Sequence, residues 1–234
     1  MHFAPIRADG KTAVPVPLDT ATPDSLAALL RAGAKGLGEG AARTGAGSVL
    51  ASATEAWWHS ISCAPLRQPF GAVASRPAGD HPARRFGALL APLPLEEVCA
   101  RIGNLYCSLL PTGLRARQGS FFTPPALATL LLQRATEAGT DWRTCRVLDP
   151  ACGGGAILLP ALRRLLAVLS DTAPDIVLAE VATRVRGIDI DPMAAWLAQV
   201  MCDAALLPWT SATGTPPPRI VETGNESWRF KTRA

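Results

Sequence analysis

The chain has 234 residues, 48% of them apolar, a net charge of +4, six cysteines and only three histidines. That apolar content supports one domain plus an appended region. The charge is mildly basic, which is compatible with nucleic acid without being diagnostic of it. No apolar run reaches the roughly 18 residues of a membrane span, and the N-terminus lacks the apolar core of a signal peptide. The cysteines at 63, 99, 107, 145, 152 and 202 form no C-x-x-C pair, so a zinc site has little to build from. The expectation is a cytoplasmic protein with reduced structural thiols and no membrane contact.

In chain order, residues 1–24 are polar and proline-dotted, and read as loose. A helix can start at Ser25, but Gly33, Gly36, Gly38 and Gly40 weaken its continuation at nearly ~1 kcal/mol each. Trp57-Trp58 reads as buried packing ahead of base stacking, and His59 as a packed or surface residue. Residues 64–94 read as a loop in which Arg84-Arg85 is solvated. Order returns at Leu95, where Val98, Ile102, Leu105 and Leu109 fall on one helix face, and Pro111-Thr112-Gly113 stops it. The chain therefore divides into a partly helical, loop-rich region, 1–94, and a second part, 95–234. Thr123 is a candidate N-cap and Pro124 a candidate first residue for a helix running towards Gly139.

The stretch from Val147 onwards organises the second part. Val147-Leu148 ends in Asp149-Pro150, three glycines follow at 153–155, and an apolar stripe at helical spacing begins at Ile157. That is strand, tight turn and helix, the opening of a doubly wound α/β sheet that holds ligands beyond its carboxyl strand ends. Pro174 opens a second helix through Val181, Arg184–Asp189 reads as strand two, and Asp191-Pro192 starts a further helix. Residues 208–218 read as a linker before a brief third strand, Arg219–Thr223.

Asp149 decides the ligand class. An anion beside the turn repels a pyrophosphate and suits a cationic or amine-bearing ligand. The next acid at a strand end, Asp189, lies 34 residues beyond Gly155, whereas the nicotinamide fingerprint places it about 20 residues on. The G-x-G-x-x-G pattern is absent as well. A carboxylate at the second strand end can accept both hydroxyls of a ribose, so the pair suits adenosine with a charged amino-acid tail, as in S-adenosylmethionine. The plainer alternative, two carboxylates that merely cap helices, explains Asp191 well and Asp149 less well.

Three motifs in order resemble the adenine-N6 DNA methyltransferases of restriction-modification systems, over roughly Ile102 to Asn225. Gln118-Gly-Ser-Phe-Phe-Thr-Pro-Pro125 looks like their G-x-F/Y-T-P segment. Val147-Leu-Asp-Pro-Ala-Cys-Gly-Gly-Gly-Ala-Ile-Leu158 looks like V-L-D-P-A-C-G-S-G-x-F-L, with Gly154 in place of serine. Gly187-Ile-Asp-Ile-Asp-Pro192 looks like G-x-D/E-I-D-P. The resemblance implies an S-adenosylmethionine site. Thr123 would meet the methionine carboxylate, Phe122 would belong to the same cofactor-binding set, Asp149, Ala151, Gly153 and Gly155 would lie around the glycine turn, and Asp189 on the ribose. Ile190 and Asn225 would complete it, Asn225 at the adenine amino group.

The family's catalytic N/D-P-P-Y/F/W element is not encoded: Pro124-Pro125 follows Thr123, and Pro216-Pro217-Pro218 follows Thr215. In that element an aromatic stacks on the flipped adenine. The segment Glu226–Ala234 also departs from the family pattern, which suggests truncation or a frame change near residue 225. The expectation is an α/β chain: an incomplete Rossmann-like, S-adenosylmethionine-dependent methyltransferase sheet behind a mainly helical N-terminal region. Its reaction class is methyl transfer to adenine N6 in double-stranded DNA, with a complementing catalytic or specificity subunit as the implied partner. Two alternatives stand beside it. One is a non-catalytic cofactor- or DNA-associating subunit or remnant; the other is an RNA or protein methyltransferase, disfavoured by the segment that precedes the glycine turn.

Overall fold

The computed structural model describes residues 21–71, 73, 79–119 and 122–224. The expectations for residues 1–20, for Asn225 and the segment after it, and for Ser120 and Phe121 fall outside the described residues. Two compact units are present, one of residues 21–67, 73, 79–94 and 104–119, the other of 68–71, 95–103 and 122–224.

The first unit contains α1 (Pro23–Gly33), α2 (Glu39–Ile61), α3 (Pro82–Leu89), the end of α4 (Leu95–Leu109) and α5 (Thr112–Gln118). The Thr22 side chain accepts the Ser25 N–H while the Ser25 hydroxyl accepts the Thr22 N–H, a reciprocal cap that fixes the start of α1. α1 ends at Gly33 and residues 34–38 are not helical, in line with the expected weakening at Gly33, Gly36 and Gly38. Gly40, the fourth of these glycines, instead lies inside α2. α2 runs for 23 residues through Gly40, Gly45 and Gly47, because packing outweighs propensity. Leu50, Ala53, Trp57 and Trp58 are buried, and Gly87 of α3 sits so close to the Ala53 carbonyl that a Cβ there would overlap it. The tryptophans pack edge to face at 6.3 Å, and Trp58 Nε1 donates to the Ala64 carbonyl, in line with the packing expectation. His59 is exposed.

α3 also corrects the loop assigned to 64–94. Pro82 starts it, and His81 Nδ1 accepts the Ala83 N–H at 3.1 Å. Burial lowers the His81 pKa, which favours the neutral ring this bond requires. Arg84 and Arg85 are not simply solvated, since they pair with Glu55 and Asp80. A cavity of about 200 Å³ lies in this unit, lined by Leu30, Ala42, Ala46, Val49, Pro82 and Leu109 among others. Pro111-Thr112-Gly113 does end α4, but Pro111 then serves as N-cap of the short α5, which stops at Gly119 in the left-handed region.

The second unit contains α6 (Pro125–Glu137), β1 (Val147–Asp149), α7 (Leu158–Val168), α8 (Pro174–Arg184), β2 (Val185–Asp189), α9 (Pro192–Ala205), α10 (Leu207–Thr213) and β3 (Val221–Thr223). The three strands are parallel in the order β1-β2-β3. α7 packs on β1, and α9 on β2 and β3. Leu158, Leu162, Leu165, Val181, Val185, Ala198 and Val221 form the core between sheet and helices. Leu148 is 50% exposed and its register partner Arg186 is exposed too, although parallel sheets are ordinarily covered on both faces. The unit is thus helix-rich with a small parallel sheet, compatible with an incomplete α/β fold of the expected kind.

Local boundaries differ from the expectation in several places: α1 already starts at Pro23, within the stretch expected to be loose, and β3 starts at Val221 rather than Arg219. α6 starts at Pro125, with Pro124 rather than Thr123 as N-cap; a residue that precedes proline is pushed out of the α region, so Pro124 cannot be helical. α8 continues to Arg184, whose guanidinium donates to the carbonyls of Trp142 and Cys145 and fixes the approach to β1. The expected linker from 208 contains α10, which Gly214 ends in the left-handed region. Beyond it, buried Gln199 clamps the entry to β3. Its Oε1 accepts the N–H groups of Ile220 and Val221, and its Nε2 donates to the Pro218 carbonyl and Asp203.

Candidate functional site

The three strands end together, and the loops that leave them meet at one residue. Asp189 Oδ2 accepts the Gly153 N–H at 2.7 Å, from the turn after β1. Asp189 Oδ1 accepts the Asp191 N–H at 2.8 Å, from the turn after β2. The Asp189 main-chain carbonyl accepts the Gly224 N–H at 2.8 Å, from the residue after β3. Asp191 in turn caps α9 by accepting the Met193 N–H.

The glycine turn is fastened at several points. The Cys152 N–H donates to the Ile188 carbonyl and the Gly155 N–H to the Cys152 carbonyl. Gly155 has φ +94°, and a Cβ on it would stand 3.2 Å from the Ala198 backbone, so the turn needs glycine here both for its conformation and for its approach to α9. Around Gly153 the space that a Cβ would enter is open. Asp149 Oδ1 accepts the Ala151 N–H at 3.3 Å.

Two half-buried carboxylates therefore face one turn. Burial pushes the Asp149 carboxyl above the ordinary carboxylate range, and the Asp189 charge adds in the same direction while the Ala151 N–H opposes. Burial raises Asp189 too, against the two N–H groups it accepts. Neither forms an ion pair with a described residue. Such a site favours hydroxyl donors or a cation and disfavours phosphate. Its thiols are inert: burial pushes Cys99 up to about 12 and raises Cys152 and Cys202, so no thiolate nucleophile is available at neutral pH. Among the described residues no group of histidine, cysteine, aspartate and glutamate could hold a metal.

The segment before α6 backs the turn. The Phe122 ring packs on Gly103 and lies 3.8 Å from the position of a Cβ at Gly154, while Cys99 Sγ donates to the Gly154 carbonyl. Thr123 lines a cavity of about 30 Å³ with Glu96, Cys99 and Ala156, room for one water. The structure thus pairs Ala151 with Asp149 and Gly153 with Asp189 by separate hydrogen bonds, sets Gly155 against Ala198, brings Phe122 to the turn, and places Thr123 beside Ala156 in the small cavity. Ile190 follows β2 and is 49% exposed; Asn225 lies outside the described residues. Cys99 and Gln199 went unnoticed in sequence. No signal marks Cys99 there, whereas Gln199, polar inside the apolar run of α9, could have been flagged.

The second unit is thus helix-rich with a small parallel sheet, a glycine turn after its first strand and an acid at the tip of its second, compatible with an incomplete methyltransferase fold. Residues 102–202 match the model of the N-6 DNA methylase family, so that segment is similar to these DNA methylases. No curated protein and no solved structure matches the chain.

Proposed function

We propose that this chain is the S-adenosylmethionine-binding part of a DNA adenine-N6 methyltransferase, with residues 95–234 as the methyltransferase part and 1–94 as an appended region. The observation that carries the reading is the pair Asp149 and Asp189 around a turn tied to Asp189 through Gly153, inside the segment that matches the family. The parallel order β1-β2-β3 supports a Rossmann-like sheet, being one half of the doubly wound order 3-2-1-4-5-6.

The donors and acceptors fit the cofactor. Each Asp189 carboxylate oxygen accepts one N–H and keeps capacity for a ribose hydroxyl. Asp149 supplies negative charge for the ammonium and sulfonium groups of the amino-acid tail. Open space at Gly153 admits a ligand against the backbone. In this reading Thr123 meets the methionine carboxylate, Phe122 supports the turn, and Ile190 and Asn225 border the adenine. The cofactor would bring an electrophilic methyl group; the chain's residues hold it in line with an incoming amine and exclude water.

The residues that orient the target amine are not encoded as N-P-P-Y in this sequence. We therefore assign amine orientation and DNA recognition to polypeptide outside these 234 residues, either continuous with them or a complementing subunit, acting with them in the cytoplasm on double-stranded DNA. Leu127, Leu130 and Leu131 on α6 and, separately, Leu148 on β1 are about half exposed, which leaves apolar surface for such polypeptide to cover. A cofactor-binding subunit without catalytic activity of its own is the second reading.

A labelled-methyl assay on methylation-free duplex DNA tests the proposal. The expected result is retention of labelled S-adenosylmethionine by the chain with no label in DNA. Transfer to DNA by the isolated chain would overturn the division of labour, and absence of retention would overturn the cofactor assignment.

A further inference from the structure

Asp189 makes three bonds that no ligand mediates, and each belongs to a different strand-end loop. Its Oδ2 holds Gly153, its Oδ1 holds Asp191 and its carbonyl holds Gly224. The shortest, 2.7 Å to the Gly153 N–H, crosses 36 residues of chain to reach a glycine at φ +51° with open space around it. A backbone so unconfined by side chains is set by its hydrogen bonds. The other ties on the turn, Cys152 N–H to Ile188 and Gly155 N–H to Cys152, leave the Gly153 N–H to Asp189, and among the described residues the Gly153 carbonyl accepts only the weak Cys152 thiol donor at 3.7 Å.

We propose that Asp189 is a positioning residue, whose carboxylate holds the glycine turn in its binding conformation before any ligand arrives, in addition to the ribose contact that the proposed function gives it. The charge-assisted bond to Gly153 and the local bond to Asp191 use one carboxylate oxygen each. Both require an acceptor at each oxygen. An amide at this position offers an acceptor to only one of the two loops and turns a donor towards the other, so Asp189→Asn separates positioning from mere occupancy of the space.

The first test needs no ligand. Amide exchange is measured by NMR on the full chain, wild type and Asp189→Asn. Exchange at Gly153 is expected to accelerate at least tenfold while core amides such as Leu165 and Val181 keep their rates. An unchanged Gly153 rate overturns the proposal, and so does uniform acceleration across the core, which would make the residue simply structural. The wild-type chain supplies an independent measurement should the variant fold poorly. The Gly153 amide resonance is expected to move as the Asp189 carboxylate titrates, with Asp149, Asp191 and the Cys152 thiol facing the same group; a resonance that stays flat through that titration overturns the role.

The second test rests on the proposed function. S-adenosylhomocysteine and its 2′,3′-dideoxyribose analogue are titrated into both chains. If Asp189 only contacted ribose hydroxyls, the substitution would weaken the parent nucleoside and leave the dideoxy analogue unaffected, and that outcome contradicts positioning. The expected outcome is a loss of at least threefold for the dideoxy analogue as well. Should the wild-type chain bind neither nucleoside, the cofactor assignment fails, and the exchange and titration measurements alone decide the positioning role.

Discussion

Asp149 pairs in register with Gly187, not with Asp189, so the second acid stands two residues further along its strand than the first. Both side chains lie on the same face of the sheet, because strand side chains alternate with period two. The offset lets Asp189 reach across the glycine turn to Gly153 while Asp149 stays at its base with Ala151. One acid thus organises the turn, and the other supplies charge beneath it.

The pair carries a cost to the ligand-free fold. Both carboxyls have pKa values raised by burial, so their contribution to stability is fully present below the ordinary carboxylate range, about 4. It is lost as pH rises through the raised folded values. Asp149→Asn keeps an acceptor for the Ala151 N–H and removes the repulsion of Asp189. The expected outcome is a higher urea midpoint than wild type at pH 7, a difference that shrinks towards pH 4, together with weaker S-adenosylmethionine binding. Denaturation monitored by tryptophan fluorescence at the two pH values checks the sign.

Gln199 is the second place where one side chain determines the geometry of the sheet. Gln199→Leu leaves the Ile220 and Val221 N–H groups and the Asp203 carboxylate without their amide partner. The expected loss is roughly 3 kcal/mol or more, read from urea unfolding of the full chain. A loss within error would mean that β3 is held by its pairing with β2 alone.

Arg184 ties the residue before β2 to the loop before β1, through Cys145 and Trp142. Arg184→Met keeps much of the apolar stem and removes both bonds. A destabilisation of about 2–3 kcal/mol is expected, accompanied by faster amide exchange in β1.

Gly87→Ala probes the first unit on its own. The added methyl would collide with the Ala53 carbonyl of α2, and the helices must separate. The expected cost is on the order of 3 kcal/mol, seen as early loss of near-ultraviolet signal from Trp57 and Trp58.

The geometry of each part of the candidate site was legible because its residues are close in sequence. Asp149 beside three glycines, and Asp189 before Asp191-Pro192, can be read from adjacent residues, and the strand ends followed from them. The cap at Asp191 was legible for the same reason. What escaped depends on contacts distant in sequence. α2 is stabilised by α3 against the propensity of its glycines, and α3 itself is anchored by the Arg84–Glu55 pair, 29 residues apart. The bond from Gly153 to Asp189 and the clamp of Gln199 on β3 are set by topology. The start of α6 was misplaced by one residue because adjacent prolines constrain each other.

The central claim is that the two acids and the glycine turn hold S-adenosylmethionine. Calorimetric titration of the cofactor into the full chain, beside Asp149→Ala and with folding of both verified by circular dichroism, tests it most directly. The account predicts saturable binding at one site per chain, weakened at least tenfold by the substitution. A folded wild-type chain that releases no heat and binds no cofactor, or equal binding by both chains, would contradict it.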